Sequence, residues 1–278
     1  MVKWRWHQSG GCRLGELVEW GAGCSTSIET PTCLQFTRNG HVPHLTHQVL
    51  DKYVNFAQTP IFQLCLPHFF DSRTVIAAYG KGLKSFCGLS NSALTYLSLF
   101  DPVAPVPSGY NTNKSLAIWS VGGRRELDAS VLSDLTRQFG TEVFQVLADG
   151  DTPTDCSTKR LDKAVERSKR WANRFWTYLD LCQEAKQPFG TVIGGYSNQH
   201  RLASASDCAS YDYCGFQLSA LPFSEDRLDC CQDSKMADAL SGIWVSSSYH
   251  NITGPGRGLV VKLKSFVVVS KDHSRFIQ

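Results

Sequence analysis

Val143-Phe-Gln-Val-Leu-Ala148, followed by Asp149-Gly-Asp151, decides the fold of this chain. The first six residues are a short apolar run closed by an acidic, Gly-containing turn, which predicts a strand ending at Asp149. Downstream, Leu161, Val165, Ser168, Ala172, Phe175, Leu179 and Cys182 recur at alternating steps of four and three. That spacing puts one apolar stripe on a long helix, and Pro188 stops it. Residues 190–194 predict the next strand, 198–210 a helix and 213–219 a further strand. This alternation is the order of parallel βα units. A (β/α)8 barrel and a doubly wound sheet both fit. In either, ligands sit beyond the strand C-termini, where Asp149 falls.

Upstream of this unit, residues 1–40 mix Gly, Thr and Cys with short apolar stretches, which predicts strands and turns. Thr46 can cap a helix over 46–58, with Val49, Leu50, Tyr53, Val54 and Ala57 on one side. A second helical pattern spans 72–84. Pro102, Pro105 and Pro107, with Ser108-Gly109 after them, mark a long loop. A strand is expected over 115–120. Asp128 or Ser130 opens a helix carrying Val131, Leu132, Leu135 and Phe139, with Gly140 at its C-terminus. Residues 243–278 show neither helical period nor a clean βα unit. They are read as a divergent, irregular tail, separate from a barrel portion over 1–242.

The 278 residues are 42% hydrophobic and 11% aromatic, enough apolar content for a sizeable core and too much for a disordered chain. Charged residues reach 19%, and 28 basic against 25 acidic leaves +3. So small a net charge does not announce a nucleic-acid binder; such a partner must be argued from local clustering. No apolar run approaches the ~18 residues that span a bilayer. The opening Met-Val-Lys-Trp-Arg-Trp-His has no apolar leader. The expected location is the cytoplasm, with peripheral attachment to a membrane surface left open. Eleven cysteines without a Cys-x-x-Cys spacing are expected to be reduced and mostly buried.

Few residues carry obvious chemistry. Asp149, Asp151 and Asp155 crowd one strand-to-helix loop, where they could hold a divalent metal for an autonomous enzyme or simply solvate the loop and cap the helix. His41, His44 and His47 have a repeating two-residue gap, but Pro43 breaks helical continuity, which favours a structural role. Lys159, Arg160, Lys163, Arg167, Lys169, Arg170 and Arg174 form a basic helix that either follows a phosphate backbone or is merely solvated. Gly254-Pro-Gly-Arg-Gly258 lacks the context of a phosphate loop.

A family resemblance sharpens this. Gly11-Cys-Arg-Leu-Gly15, Thr30-Pro-Thr-Cys33, Val42-Pro-His-Leu-Thr-His47, Asp101-Pro102, Gly109-Tyr110, Thr112-Asn-Lys-Ser115, Trp119-Ser120, Asp149-Gly150, Lys159-Arg160 and Val165-Glu-Arg-Ser168 occur in this order. Together they resemble the tRNA-guanine transglycosylase family. The resemblance implies an α/β fold: a (β/α)8 TIM-type barrel, here incomplete, with extra N-terminal β-strands. It also implies a complex that exchanges guanine for queuine at the wobble position of certain tRNAs.

Active members carry an Asp-Ser-Gly-Gly-Phe-Gln segment, which Tyr96-Leu-Ser-Leu-Phe-Asp101 matches here. Tyr96 then stands where a catalytic carboxylate should be, and the family's nucleophilic Asp has no counterpart after Gly242. Asp149 remains as a base-pocket remnant. Lys159, Arg160, Arg167, Lys169 and Arg170 are the implied tRNA contacts. The chain would thus be a non-catalytic subunit partnered by a catalytic queuine tRNA-ribosyltransferase subunit and tRNA, in the cytoplasm or at the mitochondrial outer membrane surface. A truncated, inactive form is the competing expectation. Zinc belongs to the family, but its Cys-x-Cys-x-x-Cys plus His ligands are not found here.

Overall fold

Strands β1 (Lys3–Ser9), β2 (Cys12–Glu19) and β3 (Ser25–Thr30) pair antiparallel in sequence order. They open a computed structural model that describes residues 2–9, 12–21, 25–30, 32–54, 56, 58–104, 106–153, 155–182, 187–219, 243–251 and 260–269. The chain continues through β4 (Thr32–Phe36), α1 (His47–Tyr53), β5 (Ile61–Cys65), α2 (Leu66–Phe69), a 3-10 turn, α3 (Arg73–Tyr79), α4 (Gly82–Phe86) and β6 (Leu94–Ser98). An antiparallel hairpin, β7 (Leu116–Ser120) and β8 (Gly123–Leu127), precedes α5 (Ala129–Phe139) and β9 (Val143–Gln145). Then come α6 (Thr158–Cys182), β10 (Pro188–Val192), α7 (Asn198–Ala209), β11 (Gly215–Leu218), β12 (Ile243–Asn251) and β13 (Val260–Val269).

Eight strands close a ring in the order β10-β11-β13-β12-β4-β5-β6-β9. The ladders from β4 through β5, β6, β9 and β10 to β11 are all parallel. β12 joins β4 in parallel, whereas β13 runs against both β12 and β11. The curled parallel sheet fits a TIM-type domain, with the β12-β13 hairpin filling the last two positions of the ring. The irregular tail expected over 243–278 is therefore corrected for 243–251 and 260–269. Val260-Val-Lys-Leu-Lys-Ser-Phe-Val-Val-Val269 is rich in β-branched residues, which suit a pleated strand.

Local chemistry explains most boundaries. Asp128 accepts from the Val131 backbone N–H and caps α5; Gly140 ends that helix with φ 59°. Thr46 caps α1 in the same way, but α1 stops at Tyr53 instead of continuing to 58. Only Leu50 of its apolar residues is buried, so no packing supports further turns. The helix expected over 72–84 is divided between α3 and α4, because Gly80 turns left-handed at φ 73°.

Every described residue of β5, β6, β10 and β11 is buried, as a sheet covered on both faces requires. The larger core lies between sheet and helices and contains Phe62, Phe144, Trp171, Phe175 and Phe216. A second core plugs the end of the barrel where the strands begin. It joins Leu17, Trp20 and Ile28 of the N-terminal region to Ile61, Leu94, Tyr96, Val143 and Phe189. Trp20 Nε1 donates to the Thr95 carbonyl at 2.9 Å, and Glu142 accepts from Lys84 Nζ at 2.6 Å and from Thr95. With that end sealed, any site must open at the other.

Candidate functional site

At the C-terminal ends of the strands lies a cavity of about 470 Å³. Its polar lining among the described residues includes Gln63 from β5, Ser98 from β6, Gln145 from β9 and Gln217 from β11. Alternation along each strand creates this layer. Phe62, Phe144 and Phe216 point into the outer core, so the glutamine that follows each one points inward. Ser98 Oγ donates to the Phe100 carbonyl and accepts from Gln63 Nε2 at 3.0 Å, which fixes the orientation of that amide. Gln145 Oε1 accepts from the Leu99 N–H at 3.0 Å. Pro102, Val106 and Pro107 of the predicted loop supply an apolar wall.

Asp101 reaches the same cavity. Its Oδ1 accepts from the Val103 N–H at 2.8 Å, and its Oδ2 lies 3.0 Å from His68 Nε2. The Asn39 N–H donates to His68 Nδ1 at 3.2 Å, which turns Nε2 of the ring toward Asp101. Burial pushes the Asp101 carboxyl up, but the bonds from His68 and from the Val103 and Ala104 amides outweigh it and hold the group below the usual carboxylate range.

Tyr96 lies in the strand-start core, two residues before the last of β6. It is 1% exposed, and its hydroxyl donates to Gln217 Oε1 at 2.6 Å. Burial raises the phenol well above its ordinary value, so it stays protonated and serves as the floor beneath Gln217.

β9 stops at Gln145 instead of running to 148, so Asp149 lies beyond the strand end, and its carboxylate does not line the cavity. It is fully buried and saturated. Arg160 grips it in bidentate fashion at 2.7 and 3.0 Å, Arg167 Nη1 adds 3.0 Å and Asn111 Nδ2 adds 2.8 Å. Ser168 Oγ, four residues beyond the carbonyl to which it donates, accepts from the Asp149 N–H. A buried carboxylate needs this degree of pairing. The role of base-pocket remnant is thereby corrected to a structural one: Asp149 ties β9 to α6 and to the loop that rims the mouth. The same geometry leaves Asp149 without a free lone pair for a metal. Among the described residues no three His, Cys, Asp or Glu side chains converge into a metal-binding group. Asp151 instead accepts from the Gly109 N–H at 2.6 Å, and Asp155 is exposed.

The basic helix divides accordingly. Arg160 and Arg167 are turned inward to Asp149, a correction to their expected place on a tRNA-facing surface. Lys169 pairs with Asp207 and Arg170 with Glu166. Lys159, Lys163 and Arg174 are exposed and make no ion pair among the described residues. His41 and His47 stack at 4.4 Å, and their nitrogens meet the Asn39 and Cys87 carbonyls, while His44 is exposed. Of the cysteines, Cys65 and Cys87 are buried, whereas Cys33 is exposed, against expectation. Burial pushes the Cys87 and Cys208 thiols up to about 12. The described cysteines are scattered over separate elements and do not fit the zinc ligand set of the family; Cys230, Cys231 and Gly254–Gly258 lie outside the described residues.

The sequence matches one family. The model of the queuine tRNA-ribosyltransferase family fits residues 9–241, and the chain belongs to that family. Among curated relatives, a chicken (Gallus gallus) protein is 39% identical over 211 residues, 75% of this chain and 49% of its own length. A Caenorhabditis elegans protein is 34% identical over 220 residues, covering 77% and 57%, and a human protein 34% identical over 231 residues, covering 79% and 53%. All three are named queuine tRNA-ribosyltransferase accessory subunit 2. The chain spans about half the length of these relatives.

Proposed function

We propose that this chain acts as a non-catalytic subunit of a heterodimeric queuine tRNA-ribosyltransferase. The complex exchanges guanine for queuine at wobble position 34 of tRNAs with GUN anticodons. The observation that carries this reading is the likeness to proteins named accessory subunit 2; beside it, the residue that the family resemblance sets against a carboxylate is Tyr96, a phenol buried in the strand-start core and bonded to Gln217. Base exchange by this route needs an ionised carboxylate at the ribose, and the mouth offers Asp101 and Asp151, both already bonded within the fold. The names of the relatives support the same assignment. The partner is then the catalytic subunit, and the tRNA contacts of this chain fall on exposed cations of α6. The complex works in the cytoplasm, including the outer mitochondrial surface. Zinc is the metal expected of the family, with no ligand set for it found among the described residues.

Labelled-guanine exchange into tRNA tests the proposal. This chain alone gives no incorporation, and mixing it with the catalytic subunit gives both co-purification and activity. Incorporation by this chain alone refutes it.

A further inference from the structure

Apolar side chains left in water gather on one side of the barrel. Of the twelve large apolar residues exposed among the described residues, six belong to α1, its C-cap and the adjoining α3 and α4: Val49, Tyr53, Val54, Val75, Tyr79 and Phe86. Single exposed apolar residues are ordinary, whereas a cluster marks a surface that another molecule covers. The helices share one outer layer, because α1 follows β4, α3 and α4 follow β5, and those strands are neighbours in the ring. His47 Nε2 of α1 lies 2.9 Å from the Cys87 carbonyl at the end of α4, and Leu50 and Leu83 enter the same core. The rings of Tyr79 and Phe86 meet edge to face with centroids 5.7 Å apart.

α1 shows the mismatch most plainly. Within its seven residues only Leu50 is buried, while Val49 and Tyr53, one turn apart on the same stripe, stand outward. So short a helix draws its stability from packing, and here most of its apolar side has none. Charge defines what can cover it. Lys52 Nζ lies 5.1 Å from the centre of the Tyr53 ring and Lys81 Nζ 5.9 Å from that of Tyr79. Neither lysine makes an ion pair among the described residues, and Asp51 is the single carboxylate of α1, α3 and α4. The face is thus apolar with a basic edge, and its complement is a protein surface with an apolar centre and an acidic edge. Two copies of this chain joined here would bring more like charges than opposite ones together.

We propose that the outer face of α1, α3 and α4 docks the catalytic subunit, through a surface of that subunit with an apolar centre edged by carboxylates. The inference deepens the functional reading, on which it rests, by giving the heterodimer an interface and its chemistry.

The test measures binding of the full chain to the catalytic subunit by surface plasmon resonance. Tyr53→Asp and Val75→Asp change the two most exposed members of the patch, 71% and 59% in the free chain. Each weakens binding at least about thirtyfold, or about 2 kcal/mol. Both leave the melting temperature of the free chain within about 2 °C of wild type, which separates docking from folding. Lys81→Glu slows association and flattens its dependence on salt. Tyr196→Asp and Leu202→Asp, at exposed apolar positions beside or within α7, leave binding unchanged. Wild-type binding that survives in Tyr53→Asp and Val75→Asp overturns the docking surface and leaves the functional reading standing. No binding by the wild-type chain sinks that reading and the docking surface with it. Adsorption to vesicles of anionic phospholipid that these two variants lose, with the heterodimer intact, assigns the patch to a membrane and likewise overturns the proposal.

Discussion

Asp149→Ala is the most informative single change. In the native fold one buried carboxylate receives two bonds from Arg160 and one each from Arg167 and Asn111. Its removal leaves two guanidiniums, whose side chains are only 23% and 12% exposed, without their main counter-ion: Arg160 keeps Asp151 at 3.6 Å, and Arg167 keeps only the neutral Asn113. Breaking a buried ion pair by deleting one partner costs about 3–5 kcal/mol, because the orphaned charge stays desolvated. For a chain of this size that lowers the melting temperature by about 6–20 °C. Differential scanning calorimetry measures it directly. Arg160→Met should be far less harmful in the Asp149→Ala background than in the wild type, with a coupling of about 0.5–3 kcal/mol. A carboxylate kept for binding would behave oppositely, since neutralising a functional charge is commonly neutral or stabilising. A melting temperature within about 2 °C of wild type, with no coupling to Arg160, would refute the structural assignment.

Three further outcomes are expected. Tyr96→Phe leaves Gln217 Oε1 without its donor and lowers stability by about 1–3 kcal/mol in denaturant titration. Tyr96→Asp, although it restores the acid of the family, places a carboxylate beside Trp20 and Phe189, destabilises more than Tyr96→Phe, and yields no guanine exchange by the chain alone. Asp101 has a folded pKa below its unfolded value of about 3.9. It therefore contributes stability above that pH and loses the contribution as pH falls through the folded value. The gap in melting temperature between wild type and Asp101→Asn should be full near neutral pH and shrink through the acid limb; a constant gap contradicts the assignment. Charge reversal at Lys159 and Lys163 should weaken tRNA binding by the assembled complex and reduce its salt slope by roughly one unit per lost phosphate contact. An unchanged slope would mean that this face is only solvated.

Sequence alone carried the βα alternation, because hydrophobic period and helix caps are local. The stripe from Leu161 to Leu179, the Asp128 cap and the Gly140 terminus all stand where their residues predict. It also contained a signal that goes unused without a fold: Phe62-Gln63, Phe144-Gln145 and Phe216-Gln217 repeat one apolar–polar pair in three strands. A lone glutamine in an apolar strand marks the inward face of a barrel only once the ring is known to close. Local rules could not decide where the arginines of α6 point. Their spacing reads as a solvated face, yet a carboxylate buried at the neighbouring strand end turns Arg160 and Arg167 inward, because a desolvated charge must be matched. Nor could they place Tyr96 against Gln217, 121 positions away. Such pairings depend on which strands become neighbours, and chain order does not specify that.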